Sequence, residues 1–220
     1  MLFRSVERAI VALEAMNGEA VPELARQMGR PVRYGGEIRG VKERASHMVS
    51  IADEALRPLE IETSDRFHRF IAREPVGTVL VIAPWNYPYL TAINTIVPAL
   101  MAGNAVAFKG ATQTLLVGER FARAFAEAGL PDGLFTNLFL THGATSELIR
   151  KRAFGFINFT GSVTGGASIE QAAAGTFTGI GLELGGKDPG YVRADANLDA
   201  AVETLIDGAM FPVLDRKSVV

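Results

Sequence analysis

The chain contains no cysteine, which excludes disulfides, thiolate metal sites and thiol nucleophilic catalysis within it. Histidine is scarce as well. His47, His68 and His142 lie far apart and form no i, i+4 ligand pair, so no metal is expected. No apolar run reaches the roughly 18 residues of a membrane span. Arg4, Glu7 and Arg8 stand where the apolar stretch of a signal peptide would be. No membrane partner and a cytoplasmic location are therefore expected. Neither sign of charge dominates, since 22 Lys plus Arg oppose 24 Asp plus Glu for a formal net charge of -2. That balance gives no electrostatic basis for nucleic-acid binding. The short basic cluster Arg150-Lys151-Arg152 reads as a helix end, where cations complement the dipole. What is present is 220 residues at 48% hydrophobic content, ample for a core in one large or two small domains.

Residues 4–56 read as two main helices, with Val6, Ile10, Leu13 and Met16 at helical spacing and Val41, Ala45, Met48, Ile51 and Leu56 roughly repeating the pattern. Between them Pro22 stands at a plausible helix start, and the segment ends near Gly29-Arg30-Pro31. From Pro58 to Pro75 the pattern shifts to short extended runs around Ser64-Asp65-Arg66, which predicts a two-strand excursion with edges free for subunit pairing. Beyond Pro75 strands and helices alternate. Strands are predicted at Thr78–Ala83, Ala105–Lys109, Thr136–Leu140, Gly155–Thr160 and Thr178–Leu184. The intervening helices are predicted over Tyr89–Met101, Leu115–Ala128, Thr145–Lys151 and Val163–Ala173. The pattern implies an α/β fold, a doubly wound, Rossmann-like parallel sheet of about five strands preceded by helices.

The most informative segment is Ile82-Ala83-Pro84-Trp85-Asn86-Tyr87-Pro88, which follows a continuous apolar strand and carries the only Trp. Ligands of open α/β sheets bind outside the carboxyl ends of the strands, where Asn86 stands. Its amide can donate to a developing oxyanion without titrating, although Asn and Pro are also ordinary turn residues. Lys109 ends its own strand one sheet position away and is either a ligand for ribose or phosphate or a solvated surface Lys. Phe159-Thr160-Gly161-Ser162-Val163-Thr164-Gly165-Gly166 passes from a strand into a helix, whose N-terminus suits a phosphate, though Gly and Ser also simply cap helices. The Gly-x-Gly-x-x-Gly dinucleotide fingerprint is absent between a strand and a helix, and Gly179-Ile180-Gly181 reads as close packing inside a strand. Glu183, between Leu182 and Leu184, is expected to be partly desolvated, as suits a general base; the alternative is an edge glutamate paired with Lys187.

Together these segments resemble the NAD(P)-dependent aldehyde dehydrogenases. The resemblance rests on Pro84-Trp85-Asn86-Tyr87-Pro88, Lys109, Phe159-Thr160-Gly161-Ser162 and Leu182-Glu183-Leu184-Gly185-Gly186-Lys187, in order and at similar spacing, and extends from about Leu24 to Phe211. It implies an oxidoreductase that converts an aldehyde to a carboxylic acid with NAD or NADP, through thiolate attack, hydride transfer and thioester hydrolysis. It implies Asn86 as oxyanion donor and Glu183 as the base that activates water. It implies Ala83, Pro84 and Trp85 along the cofactor path, with Lys109 at the adenosine ribose and Thr112 nearby. Gly161 and Ser162 would form the pyrophosphate turn, with Gly166 as the pattern's second glycine. Residues 58–75 resemble the hairpin that bridges a homodimer or homotetramer.

Two departures stand out. NAD-preferring relatives usually carry a Glu three residues after the ribose-binding Lys, where this chain has Thr112, so NADP should be tolerated. The family continues past residue 211 into a segment bearing the nucleophilic Cys, whereas this chain reads Pro212-Val213-Leu214-Asp215-Arg216-Lys217-Ser218-Val219-Val220. The last six residues also read as the translation of a common sequencing adapter. The expectation is a cofactor-binding domain over 1–187 and the start of a truncated catalytic domain over 188–220, with a non-native tail over 212–220. Most of the catalytic domain would be missing and the chain inactive. The rival classes are a non-catalytic nucleotide-binding or subunit-pairing module, and acyl-CoA formation, which Glu183 argues against.

Overall fold

A computed structural model describes residues 2–186 and 189–210; the expected domain boundary at 187/188 and the expected tail over 212–220 lie outside them. Helices α1 (Leu2–Ala15), α2 (Asn17–Met28) and α3 (Ile38–Leu56) open the chain. They are three, not two. Pro22 lies inside α2 rather than at its start, because Met16 already turns the chain into the helix and its carbonyl accepts from the Glu19 and Ala20 amides. α2 ends at Gly29, whose φ of 77° is the left-handed cap conformation that glycine adopts without strain. Val6, Ile10, Leu13, Met16, Val41 and Ala45 are buried as the spacing implies, but Ile51 is exposed.

Strands β1 (Leu59–Thr63) and β2 (His68–Ile71) pair antiparallel as the expected hairpin, with an irregularity between Glu60 and Glu62. Every residue of both strands is exposed, including Leu59, Ile61, Phe70 and Ile71. A cross-strand Glu60–His68 hydrogen bond (2.8 Å) and a Glu62–Arg69 ion pair (3.1 Å) decorate the ribbon.

The remaining strands are β3 (Thr78–Ile82), β4 (Ala105–Lys109), β5 (Phe135–Asn137), β6 (Phe156–Thr160) and β7 (Gly179–Glu183). They form one parallel sheet in the order β5-β4-β3-β6-β7. The intervening helices are α4 (Pro88–Met101), α5 (Leu116–Glu127), α6 (His142–Arg150) and α7 (Val163–Ala173), and α8 (Leu198–Met210) follows. β5 is shorter than expected and α6 begins earlier, because Thr141 caps that helix by accepting from the Ala144 amide (3.2 Å). Side chains alternate across the sheet. Val79, Val81, Val106 and Phe108 join the core under α1, α3, α4 and α5, while Leu80, Ile82 and Ala107 join Ile149, Phe154, Ile157 and Ile169 under α6 and α7. Both faces are covered at the centre, which explains why β3 and β4 read as unbroken apolar runs. Gly179 packs so closely that an added Cβ would sit 2.9 Å from the Phe156 ring, in keeping with glycines that serve packing. Among the described residues no helix is long and apolar enough to cross a membrane.

Candidate functional site

The strand order reverses at the β3–β6 pair, and the crevice of a doubly wound sheet opens there, at the carboxyl ends. Register places four sequence-predicted segments along that edge. Ile82, the residue before Ala83, pairs with Lys109 on one side and Phe159 on the other, and Thr160 pairs with Glu183. Lys109 and Glu183 are thus three strand intervals apart, roughly 14 Å at the usual spacing.

Asn86 sits in the loop that leaves β3. The Ala83 amide donates to the Lys109 carbonyl (3.2 Å), tying the start of this loop to the neighbouring strand. Pro84 and Trp85 are half-buried, and Trp85 packs against the main core. Asn86 is only 8% exposed, yet among the described residues its side-chain amide has no hydrogen-bond partner. The amide atoms are not fully enclosed, so they are open to a group from outside the described residues. Its backbone carbonyl is fixed. Arg30 Nη2 donates to Asn86 O (2.9 Å), Arg30 Nη1 donates to Glu37 Oε1 (3.0 Å), and Leu90 N donates to Glu37 Oε2 (2.7 Å). The Arg30 guanidinium also lies 5.0 Å from the Tyr87 ring centroid. Burial pushes the Glu37 carboxyl up to about 7, against the downward pull of Arg30 and the Leu90 amide. Neither Arg30 nor Glu37 was among the residues predicted from sequence. The sole hint was a charged residue wedged between the Gly29 cap and Pro31.

Lys109 is buried at 6% exposure, which overturns the reading of a solvated surface Lys. Burial pulls its ammonium below the usual lysine range, and among the described residues no ion pair or hydrogen bond compensates. A desolvated, unpaired cation at the mouth of a crevice fits an oxygen-rich ligand such as a ribose or a phosphate. Thr112 opens a short 3₁₀ turn (Thr112–Thr114) just beyond it and is exposed.

The turn after β6 divides its roles. Gly161 N donates to the Glu183 carbonyl (3.0 Å), so that amide serves the sheet and is not free for a phosphate. Ser162 is the N-cap of α7, its Oγ accepting from Gly165 N (3.1 Å). The capping reading therefore holds for Ser162. Among the described residues the Val163 and Thr164 amides have no backbone acceptor, which leaves the helix end able to receive an anion. Phe159 lies against this turn, since a Cβ at Gly161 or Gly165 would come within 2.8 or 2.6 Å of its ring. Gly166 is buried, and a Cβ there would meet the Leu184 side chain at 2.4 Å.

Glu183 departs from expectation. It is exposed rather than partly desolvated, because β7 is the outer strand of the sheet and nothing described covers its end. Lys187, the alternative partner, lies outside the described residues. The described residues therefore bring Asn86, Lys109, the α7 terminus and Glu183 to one edge, with an open flank at Glu183. Among them no three His, Cys, Asp or Glu side chains cluster as metal ligands would.

Comparison with known proteins agrees with this arrangement. The Aldehyde dehydrogenase family pattern matches residues 4–212. A probable succinate-semialdehyde dehydrogenase [NADP(+)] of Synechocystis is 34% identical over 207 residues, covering 93% of this chain and 45% of the relative. An NADP-dependent glyceraldehyde-3-phosphate dehydrogenase of Streptococcus equinus is 44% identical over 140 residues, covering 63% of this chain and 29% of the relative. The solved NADP-dependent glyceraldehyde-3-phosphate dehydrogenase of Bacillus halodurans, complexed with NADP, superimposes with a TM-score of 0.85 at 30% identity, covering 94% of this chain and 45% of that one. The chain spans under half the length of these relatives.

Proposed function

We propose, from the premise that this chain belongs to the aldehyde dehydrogenase family, that it is the nicotinamide-nucleotide-binding portion of an enzyme that oxidises a small aldehyde to a carboxylic acid. The carrying observation is a pair of largely buried residues at the switch-point edge, Asn86 and Lys109, whose side-chain polar groups bond no described residue yet are not fully enclosed. Polar groups held at a crevice mouth with no internal partner are free to meet a ligand there.

In this reading Lys109 holds the adenosine ribose. The amides at the start of α7 and the Ser162 turn face the pyrophosphate, and Ala83, Pro84 and Trp85 line the path between. Gly166 gives α7 its close approach to the strand end. When bound, the nicotinamide supplies a hydride acceptor. Asn86 donates its amide hydrogen to the oxygen that gains charge as the carbonyl carbon is attacked. Glu183 takes the proton from a water in the hydrolytic step, where a covering domain would supply the desolvation that β7 lacks here. Thr112, uncharged and exposed, presents nothing to repel a 2′-phosphate, and several relatives carry NADP in their names, so NADP is accepted alongside NAD. The exposed hairpin edges suit pairing of two or four copies.

The chain has no thiol, so aldehyde oxidation by this chain alone stays at background. That same lack favours, as second reading, a nucleotide-binding module without catalysis of its own. Calorimetric titration with NADP, run beside an aldehyde-dependent NADPH assay, tests the proposal. Saturable binding without turnover supports it, and a folded chain that binds neither nucleotide overturns it. Turnover above background would refute the thiol requirement.

A further inference from the structure

Asn86 can aim its amide only if its backbone is held, and the loop that carries it is anchored by two residues remote in sequence. Arg30 and Glu37 are 6% and 7% exposed and form an ion pair at 3.0 Å. Arg30 reaches 56 residues along the chain to the Asn86 carbonyl, and Glu37 reaches 53 residues to the Leu90 amide. These contacts fall on both sides of Tyr87, whose ring faces the guanidinium. We propose that the buried Arg30–Glu37 pair is a clamp that fixes the Trp85–Leu90 segment from both ends, making Arg30 and Glu37 positioning residues for the Asn86 amide. What the aimed amide then does rests on the proposed function; that the segment is clamped does not.

Two simpler roles explain less. As a stability device a buried ion pair is a poor choice, because well-packed apolar residues often serve as well or better. As a helix cap, Glu37 accounts for itself, since Tyr87 offers α4 no side-chain cap and Leu90 lies in the first turn. Capping leaves the bond from Arg30 to the Asn86 carbonyl unexplained. The guanidinium has the geometry for both bonds, because one planar fork donates to two acceptors in different segments while its face lies near an aromatic ring. A lysine ammonium carries the same charge without the fork. The local structure also presents both residues rigidly. Arg30 follows the left-handed Gly29 cap of α2, and Glu37 is the residue from which α3 starts, its own carbonyl accepting from Val41 N (3.0 Å).

The single tryptophan, Trp85, makes the loop observable without catalysis. The test compares acrylamide quenching and emission of Trp85 in the full chain, its Arg30→Lys variant and the double variant Arg30→Met/Glu37→Met, with circular dichroism as the control for folding. The double variant should fold and melt close to the parent chain, yet its Trp85 should become more accessible to acrylamide and emit further to the red. Arg30→Lys should fall between. Parent-like quenching and emission in a folded double variant would overturn the clamp, because the loop would then hold itself. Should the double variant not fold, amide exchange on the unaltered chain decides: protection of the Leu90 amide equal to that of the α4 interior supports the clamp, and exchange at open-chain rate overturns it. Nucleotide affinity is measured separately, so a failed cofactor reading and a failed clamp leave different traces.

Discussion

Replacing Lys109 with Met should make the chain more stable and a worse cofactor binder at once. Lys109 as a residue is 6% exposed and its ammonium has no partner among the described residues, and Met replaces much of the aliphatic stem without the charge. Burying an unpaired ion carries a penalty of several kcal/mol when complete. The residual exposure of Lys109 puts the expected gain at the low end, about 1 kcal/mol. For a chain of this length that is about 2–4 °C in melting temperature. Because burial lowers the folded-state value below the ordinary 10.5, the unfolded chain holds this proton more tightly. The penalty is present in full below the lowered folded-state value and is relieved as pH climbs from there toward 10.5, a slope the Met variant should lack. Affinity should move the other way. A hydrogen bond from a charged donor is worth about 1.5–3 kcal/mol, so NADP should bind about ten- to a hundredfold more weakly. Scanning fluorimetry and nucleotide titration of the two proteins read both quantities. A variant that melts lower and binds NADP as tightly as the parent would refute the reasoning on both counts.

Glu37 offers a second pH signature of opposite sense. Its folded-state value of about 7 exceeds the ordinary 4.5, with Arg30 and Tyr89 as the ionisable groups facing it. The folded chain therefore holds the proton more tightly, and stability should fall as pH rises from about 4.5 to about 7 and then level off. The loss should be on the order of 3 kcal/mol by urea denaturation; an unchanged slope in Glu37→Gln would contradict the assignment. Gly155→Ala should destabilise by about 1–3 kcal/mol, because its Cβ would lie 1.9 Å from the Val76 carbonyl oxygen, a backbone atom with no easy retreat. A parent-like urea midpoint would count against that packing. Thr112→Glu should weaken NADP relative to NAD by about 1 kcal/mol or more, roughly a factor of ten, and an unchanged ratio in paired titrations would remove Thr112 from the 2′-phosphate environment.

The sheet was legible in the sequence because its central strands β3 and β4 are buried on both faces, which leaves an apolar run that local pattern can detect. Val79 to Ile82 and Val106 to Phe108 are of this kind. The hairpin was legible from its extended runs and polar turn. Pro22 misled because proline favours a helix start, and the continuation from α1 through Met16 overrode that preference. Glu183 was expected to be partly desolvated on the strength of its Leu neighbours, but alternation along a strand says nothing about whether the strand is outermost. The burial of Lys109 and the Arg30–Glu37 pair escaped for the same physical reason. Each depends on what packs against a residue from more than fifty positions away or from a neighbouring strand, and a single charged letter carries no mark of that. That the candidate site residues share one sheet edge was readable because the strand ends were.

The most direct test uses Trp85 as donor and bound NADPH as acceptor. Trp85 is the only tryptophan and stands at the switch point, so a nucleotide bound there should quench its emission and gain sensitised fluorescence, saturating at one nucleotide per chain. The expected result is that signal, weakened in Lys109→Met. Titration of a folded chain that leaves Trp85 emission unchanged would contradict nucleotide binding at the β3–β6 crevice.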